Sequence, residues 1–366
     1  MREQTRRALA DIPGQGGTDP DPATAAPLPS ATSKLELAPP KAGRERPLIA
    51  LLAADQGTAA AELMVAYSIL KEAAAAEVLI VSPSGSWMAL HPALRIWADQ
   101  SLAQFDQANP EGADILIVPG LQRHKNPTLA GWVREQASKE AAVMALGSGA
   151  ALVARSGLLD GRSAIAHWYY QAWLQRDFQR TRWIDDRSYV QDGRMISTAG
   201  IAAAVPALVA LVEGTAGSAA AATVARRIGL EAWSPGYDRS GLSLLPEHLV
   251  TGALNGLAFW RHERVGMPVE DGFDEIAVAM TAEAWSRTGR SRLVAMNAVG
   301  RVRSRHGLIL DVDTEAAPSH IVRPLAAGPG ALGQALDEIS RRYGTPTARL
   351  VALQLEHPSA AGGTGK

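Results

Sequence analysis

The chain contains no cysteine. That absence excludes disulfides, thiolate metal sites and thiol catalysis together, without fixing the compartment. Charge of either sign is not in excess: 36 Lys and Arg stand against 37 Asp and Glu, a formal net charge of -1. This balance gives no electrostatic reason to expect nucleic acid or an anionic membrane as partner. Long hydrophobic runs are also missing. The longest nearly apolar stretch, Ala199 to Val212, covers about 14 residues and is broken by Pro206. A membrane span needs roughly 20, so the stretch reads as a buried helix. Met1 to Arg7 is charged, with no apolar segment behind it. No secretory signal is visible, and the cytoplasm is the default location. The eight histidines show no His-x-x-x-His or Glu-x-x-His spacing, so neither a metal nor a cofactor is expected.

What is present fits a globular α/β protein. Apolar residues make up 47% of the 366-residue chain and charged residues 20%, enough for one large domain or two ordinary ones with a substantial core. Residues 1–46 are rich in Pro, Ala, Gly and Thr and read as a disordered leader; 359–366 form a Gly/Ala tail. Between them, apolar strand-length runs alternate with helix-length segments. Leu48 to Ala53, Val78 to Val81, Ile115 to Val118 and Val143 to Leu146 are the strands. Gly57 opens a helix carrying Leu63, Ala66, Tyr67 and Leu70, and Trp132 to Lys139 is another. That alternation predicts right-handed crossovers and a doubly wound parallel sheet. Tyr189 to Ile196, with Asp192-Gly193 inside it, reads as a hairpin.

A shift of 215 positions aligns Gln56-Gly57 with Asp271-Gly272, Val78–Val81 with Leu293–Met296, and His91 with His306. After one deletion, Ile117-Val118-Pro119 falls near Val322-Arg323-Pro324, and the fourth strand near Leu350–Leu353. The shared register of strands, glycines and helices points to a half-repeat, with chance reuse of a βαβ pattern as the alternative. The second copy stops where its own turn would begin, with Gln354 near the tip position. The expected division is a leader 1–46, a domain 47–214, a helical connector 215–262, a degenerate half-repeat 263–358 and a tail 359–366.

The most informative segment is Ala145-Leu146-Gly147-Ser148-Gly149 followed by a helical run. It reads as a strand, a sharp turn and a helix, the arrangement in which many α/β enzymes expose a nucleophile. The tip residue is Gly147, which supplies the turn and no side chain. Ser148 lies one place past the tip and suits a helix cap or backbone partner better than a nucleophile. Glu62, among Ala59, Ala60, Ala61, Leu63 and Met64, faces either solvent or a pocket that raises its pKa. His167 follows an apolar segment and taken alone reads as a satisfied structural histidine. Gly328-Pro329-Gly330 is a turn. Arg301, Arg303 and Arg305 share one strand face, read as solvated, with anion binding as the alternative.

Together these residues resemble the ThiJ/PfpI family of the class I glutamine-amidotransferase-like superfamily. The likeness rests on Asp55-Gln56-Gly57-Thr58 leading to Glu62, Ile117-Val118-Pro119-Gly120, and Gly147-Ser148-Gly149. Gly157-Leu158-Leu159-Asp160-Gly161-Arg162 running to His167-Trp168, and Ser197-Thr198-Ala199-Gly200, complete it. It covers roughly residues 47–213. The resemblance implies a flavodoxin-like fold, a cysteine at the elbow, an acid on the first helix bonded to it, and a nearby histidine. By position the acid is Glu62, the histidine His167 and the cysteine position Gly147, with Gly120, Ser148 and Gly149 as oxyanion-type pocket residues. The segment from Trp260 to Asp311 resembles the C-terminal extension of a bacterial subgroup. AraC-type regulators share the first domain, but their basic helix-turn-helix tail has no counterpart here.

With the tip side chain gone, the family's cysteine-dependent amidase, protease, deglycase or hydratase chemistry is not expected. The first expectation is a non-catalytic pseudoenzyme, binding a small metabolite or acting as a regulatory or scaffold protein, and homodimeric. The alternative is a hydrolase, hydratase or lyase without a covalent step, using Glu62 and His167 as acid and base. A second alternative is a sensor domain related to the AraC-type regulators. A partner-binding role predicts an exposed apolar patch on the half-repeat.

Overall fold

The computed structural model describes residues 34–236, 242–324 and 327–357. Its larger sheet has seven strands: β1 (Leu48–Leu52), β2 (Glu77–Ser82), β3 (Gln100–Ser101), β4 (Ile115–Val118), β5 (Ala142–Ala145), β6 (Tyr189–Asp192) and β7 (Met195–Thr198). Their order is β6-β7-β5-β4-β1-β2-β3, with only β6 antiparallel to its neighbour. β1 and β4 are buried along their whole length, which is why they read as unbroken apolar runs: helices cover both faces. The order changes direction between β1 and β4, and the crevice beyond the carboxyl ends of such strands is where open α/β sheets place their sites.

A second α/β region follows. Its sheet of β8 (Glu263–Pro268), β9 (Ser291–Met296) and β10 (His320–Ile321) is parallel in the order β9-β8-β10. This matches β2-β1-β4 of the first sheet. Counting 215 positions on from β1, from helix Ala60–Ala73 and from β2 reaches β8, helix Glu275–Ser286 and β9 to within one residue. The two helices pack against each other. A five-stranded sheet also joins the regions. Gln56–Ala59, Trp87–His91 and Arg95–Trp97 come from the first, Ile309–Asp311 and Arg301–Arg303 from the second, and Ile96 pairs with Leu310 at the seam.

Several expectations change. Gly57 does not open a helix; Gln56–Ala59 is a strand paired to Trp87–His91, and the helix begins at Ala60. Leu350–Leu353 is not a strand but part of helix Thr345–Gln354. Ala348, Val351, Ala352 and Leu355 recur at helical spacing and are all buried, and Pro346 sits in the helix's first turn, where proline is tolerated. Of the leader, residues 1–33 lie outside the described residues, as do the tail 359–366 and residue 358. Residues 34–46 are packed: Leu35 is buried, Lys41 Nζ donates to the Glu111 and Ala113 carbonyls, and Arg44 pairs with Asp114. The Ala199–Val212 run forms most of the buried helix Ile201–Ala216, with Pro206 inside it. No helix among the described residues is long and apolar enough to cross a membrane. No His, Asp or Glu group among them could hold a metal ion.

Candidate functional site

The turn after β5 is sharp, a 3-10 turn over Gly147–Gly149. Gly147 has φ +48°, in the left-handed region that favours glycine. Its N–H donates to Thr198 Oγ1 at 3.2 Å. Glu62 stands on the first turns of helix Ala60–Ala73, buried, and its Oε2 accepts the Gly120 N–H at 2.5 Å. A side-chain carbon placed on Gly147 would overlap Glu62 Oε1. The place a side chain at the tip would take is therefore filled by the neighbouring carboxyl. Burial pushes the Glu62 pKa up to about 8, against the Gly120 hydrogen bond that lowers it, with Glu283 adding to the rise. Near pH 7 Glu62 is a neutral acid.

Of the three residues expected to form an oxyanion-type pocket, Gly120, Ser148 and Gly149, two have their backbone N–H groups engaged within the protein. The Gly120 N–H is held by Glu62, and the Gly149 N–H donates to the Leu146 carbonyl at 2.7 Å. Ser148 does not cap the next helix either; the residue before Ala150–Arg155 is Gly149. Its hydroxyl instead lies against the Gly120 backbone, beside the Glu62 carboxyl.

His167 is the N-cap of helix Trp168–Asp177. Its Nδ1 accepts the Tyr169 N–H at 3.3 Å, and its Nε2 lies 3.0 Å from the Gln354 carbonyl, which fixes the Nε2–H form as the donor there. Both ring nitrogens are thus engaged, and no hydrogen bond joins His167 to Glu62. The second partner comes from the chain's own C-terminal segment. The Leu353 carbonyl accepts the Trp168 indole N–H at 3.1 Å, and the Glu356 carboxylate accepts the Trp168 and Gly200 N–H groups at 3.0 and 2.7 Å. Glu356 is 1% exposed. It lies at the N-termini of helices Trp168–Asp177 and Ile201–Ala216, where partial positive charge favours an anion. Gln354 is therefore at the site of the first region, not at a tip of its own.

The second region also reaches the site through helix Glu275–Ser286. Glu283 Oε2 accepts the Ala61 N–H at 2.8 Å, and Arg287 at the end of that helix binds Glu283 Oε1 through Nε and Nη2 at 2.9 and 2.5 Å. Helix Ala60–Ala73 has an alanine, Ala59, at its own N-cap; Glu283 supplies the missing acceptor from more than two hundred residues away. The contact has a counterpart about two turns along, where Ser68 Oγ donates to Glu275 Oε2 at 3.0 Å. Residues 61 and 68 thus meet 283 and 275, and subtracting 215 turns the latter pair into 68 and 60. The pattern is that of a twofold contact.

The family profile of DJ-1/PfpI proteins matches residues 48–213. Residues 48–213 are a DJ-1/PfpI family domain. Among solved structures the chain is similar to Drosophila melanogaster DJ-1beta, at 20% identity and TM-score 0.45, covering 50% of this chain and 98% of that one. Schizosaccharomyces pombe DJ-1 is 18% identical with TM-score 0.43, over 50% and 98%. An AraC family transcriptional regulator from Pseudomonas putida is 23% identical with TM-score 0.44, over 49% and 97%. No curated protein matches the chain. The DJ-1/PfpI domain holds Glu62, Gly120, Gly147, Ser148, Gly149 and His167. Glu283, Arg287, Gln354 and Glu356 lie beyond it, and sequence reading missed all four as site residues. The 215-position shift sets Glu283 opposite Ser68, and that was the one signal pointing to it.

Proposed function

We propose that this chain is a non-catalytic DJ-1/PfpI protein with a regulatory or scaffold role, its old site closed by its own carboxyl groups. One observation carries the reading: Glu62 occupies the place a side chain on Gly147 would need. A protein that used the site for chemistry requires a reactive group and a free oxyanion donor there. Here the tip has no side chain, and the Gly120 and Gly149 N–H groups have internal partners. The acid–base alternative is disfavoured because both ring nitrogens of His167 are engaged. Metabolite binding, as in a sensor, requires Glu62 or the Leu353–Glu356 segment to move. The reading of residues 263–357 as a degenerate half-copy that replaces a second subunit draws support from the reciprocal contacts at Ala61–Glu283 and Ser68–Glu275.

The test is an assay of the purified chain with glyoxal adducts, isonitriles and amides, beside a thermal-shift screen of small metabolites. No turnover and no ligand-induced stabilisation are expected. Turnover, or a ligand shift, that disappears in Glu62→Gln overturns the proposal.

A further inference from the structure

The connector between the two regions carries a surface that is exposed among the described residues. Helix Pro246–Leu257 turns His248 and Asn255 inward, where Asn255 Nδ2 donates to the Thr288 carbonyl and Thr347 Oγ1. Its other face is apolar and open. Leu254 is 64% exposed, Leu257 71%, and Phe259 and Trp260, in the 3-10 turn that follows, 72% and 71%. Leu245, Leu249 and Val250 extend the patch. Contiguous exposed apolar surface of this kind marks an interaction site.

We infer that this face pairs with the same face of a second copy of the chain, the two helices running antiparallel about a twofold axis near Leu254. Charge placement selects that occupant. Glu247, Val250, Leu254 and Leu257 follow one another at intervals of three and four residues, which puts them on one stripe of the helix, and Arg261 closes the 3-10 turn just beyond its end. The stripe is apolar in the middle and acidic at one end, with the basic residue just beyond the other. Glu247 and Arg261 are both exposed, and neither forms a salt bridge among the described residues. An antiparallel partner centred on Leu254 brings Glu247, in the first turn of each helix, towards the turn that carries Arg261 of the other. An isologous contact satisfies both ends at once. A lipid surface matches less well: the helix itself carries no Lys or Arg, only Glu247 in its first turn, whereas helices that lie in membranes are rich in basic residues on the polar face. Pairing through helix Ala60–Ala73 is not available, because Glu275–Ser286 already lies against it.

Sedimentation velocity of the full chain across a concentration series tests the inference. The expected result is a reversible dimer. Leu254→Asp raises its dissociation constant by at least about 30-fold, as for a central interface residue, while circular dichroism and melting temperature stay unchanged. Glu247→Arg weakens the dimer by roughly 5-fold, and the double reversal Glu247→Arg with Arg261→Glu restores it. A monomeric wild type overturns the inference. So does a dimer indifferent to Leu254→Asp. Two further outcomes overturn it by naming another occupant. One is a monomer that floats with phosphatidylserine vesicles through Leu254. The other is a chain that dimerises only after residues 2–33 are deleted.

Discussion

Two buried glutamates on the paired helices behave in opposite ways. Glu62, in the DJ-1/PfpI domain, is pushed up to about 8 by burial, and the Gly120 N–H does not offset it. Glu275, at the start of the corresponding helix, is held below the usual carboxylate range although it is fully buried. Burial raises it as well, but hydrogen bonds outweigh the rise. The His306 ring lowers it most, followed by the Ser304 side chain; the His306 N–H and the Ser68 hydroxyl also bond its oxygens. The same ring binds Glu72 through Nε2 at 3.0 Å, so His306 bridges a carboxylate on each helix. Burial alone does not set ionisation; the number of donors around the carboxylate does. The domain keeps its acid neutral and sealed, and the seam between the regions keeps its acid charged and bonded.

Removing each acid tests this contrast most strongly. Glu275→Ala leaves His306 and Ser68 without their shared acceptor and is expected to cost about 3–5 kcal/mol at pH 7, measured by urea unfolding. Glu62→Gln keeps an acceptor for Gly120 and costs less than about 1 kcal/mol there. Equal losses break the comparison.

Their pH profiles carry opposite signs. The folded pKa of Glu62 lies above its unfolded 4.5, so between 4.5 and 8 the folded protein holds a proton the unfolded chain has lost. Its contribution to stability is present below 4.5 and disappears as pH rises towards 8. Glu62→Gln is therefore expected to become more stable than wild type by about 2–4 kcal/mol at pH 9. The contribution of Glu275 is present above 4.5 and is lost as pH falls through its depressed folded value. Denaturation curves from pH 2 to 9 for wild type, Glu62→Gln and Glu275→Gln check both slopes.

The tip of the turn supplies a third test. Gly147→Ala meets Glu62 Oε1 and a positive φ, and is expected to cost about 2–3 kcal/mol. Combining it with Glu62→Ala recovers about half of that loss, and additive losses in the double-mutant cycle show that the two do not touch.

Much of this was legible beforehand because it is local. The buried strands β1 and β4, the hairpin of β6 and β7 and the turn at Gly147 each follow from a short run of residues. So did the likeness of residues 47–213 to a known family, because the motif residues lie on the strand ends and turns themselves. Strand against helix at Leu350–Leu353 was misread because a short apolar run fits both, and only its packing against helix Gly330–Tyr343 distinguishes them. A partner-binding role predicts an apolar patch on the half-repeat; the exposed apolar residues from Leu245 to Trp260 lie instead on the connector, since exposure depends on which faces neighbours cover.

The sequence by itself determined the absence of a thiol, the elbow with no side chain at its tip, and the βα order of the domain. Tertiary structure alone decided what took the empty place. Glu62, Glu283 and Glu356 converge from positions up to about three hundred residues apart, and Arg287 and the helix N-termini set where their charges can rest. Proximity of that kind, and the pKa it produces, is a property of the folded contacts and leaves no local pattern in the chain.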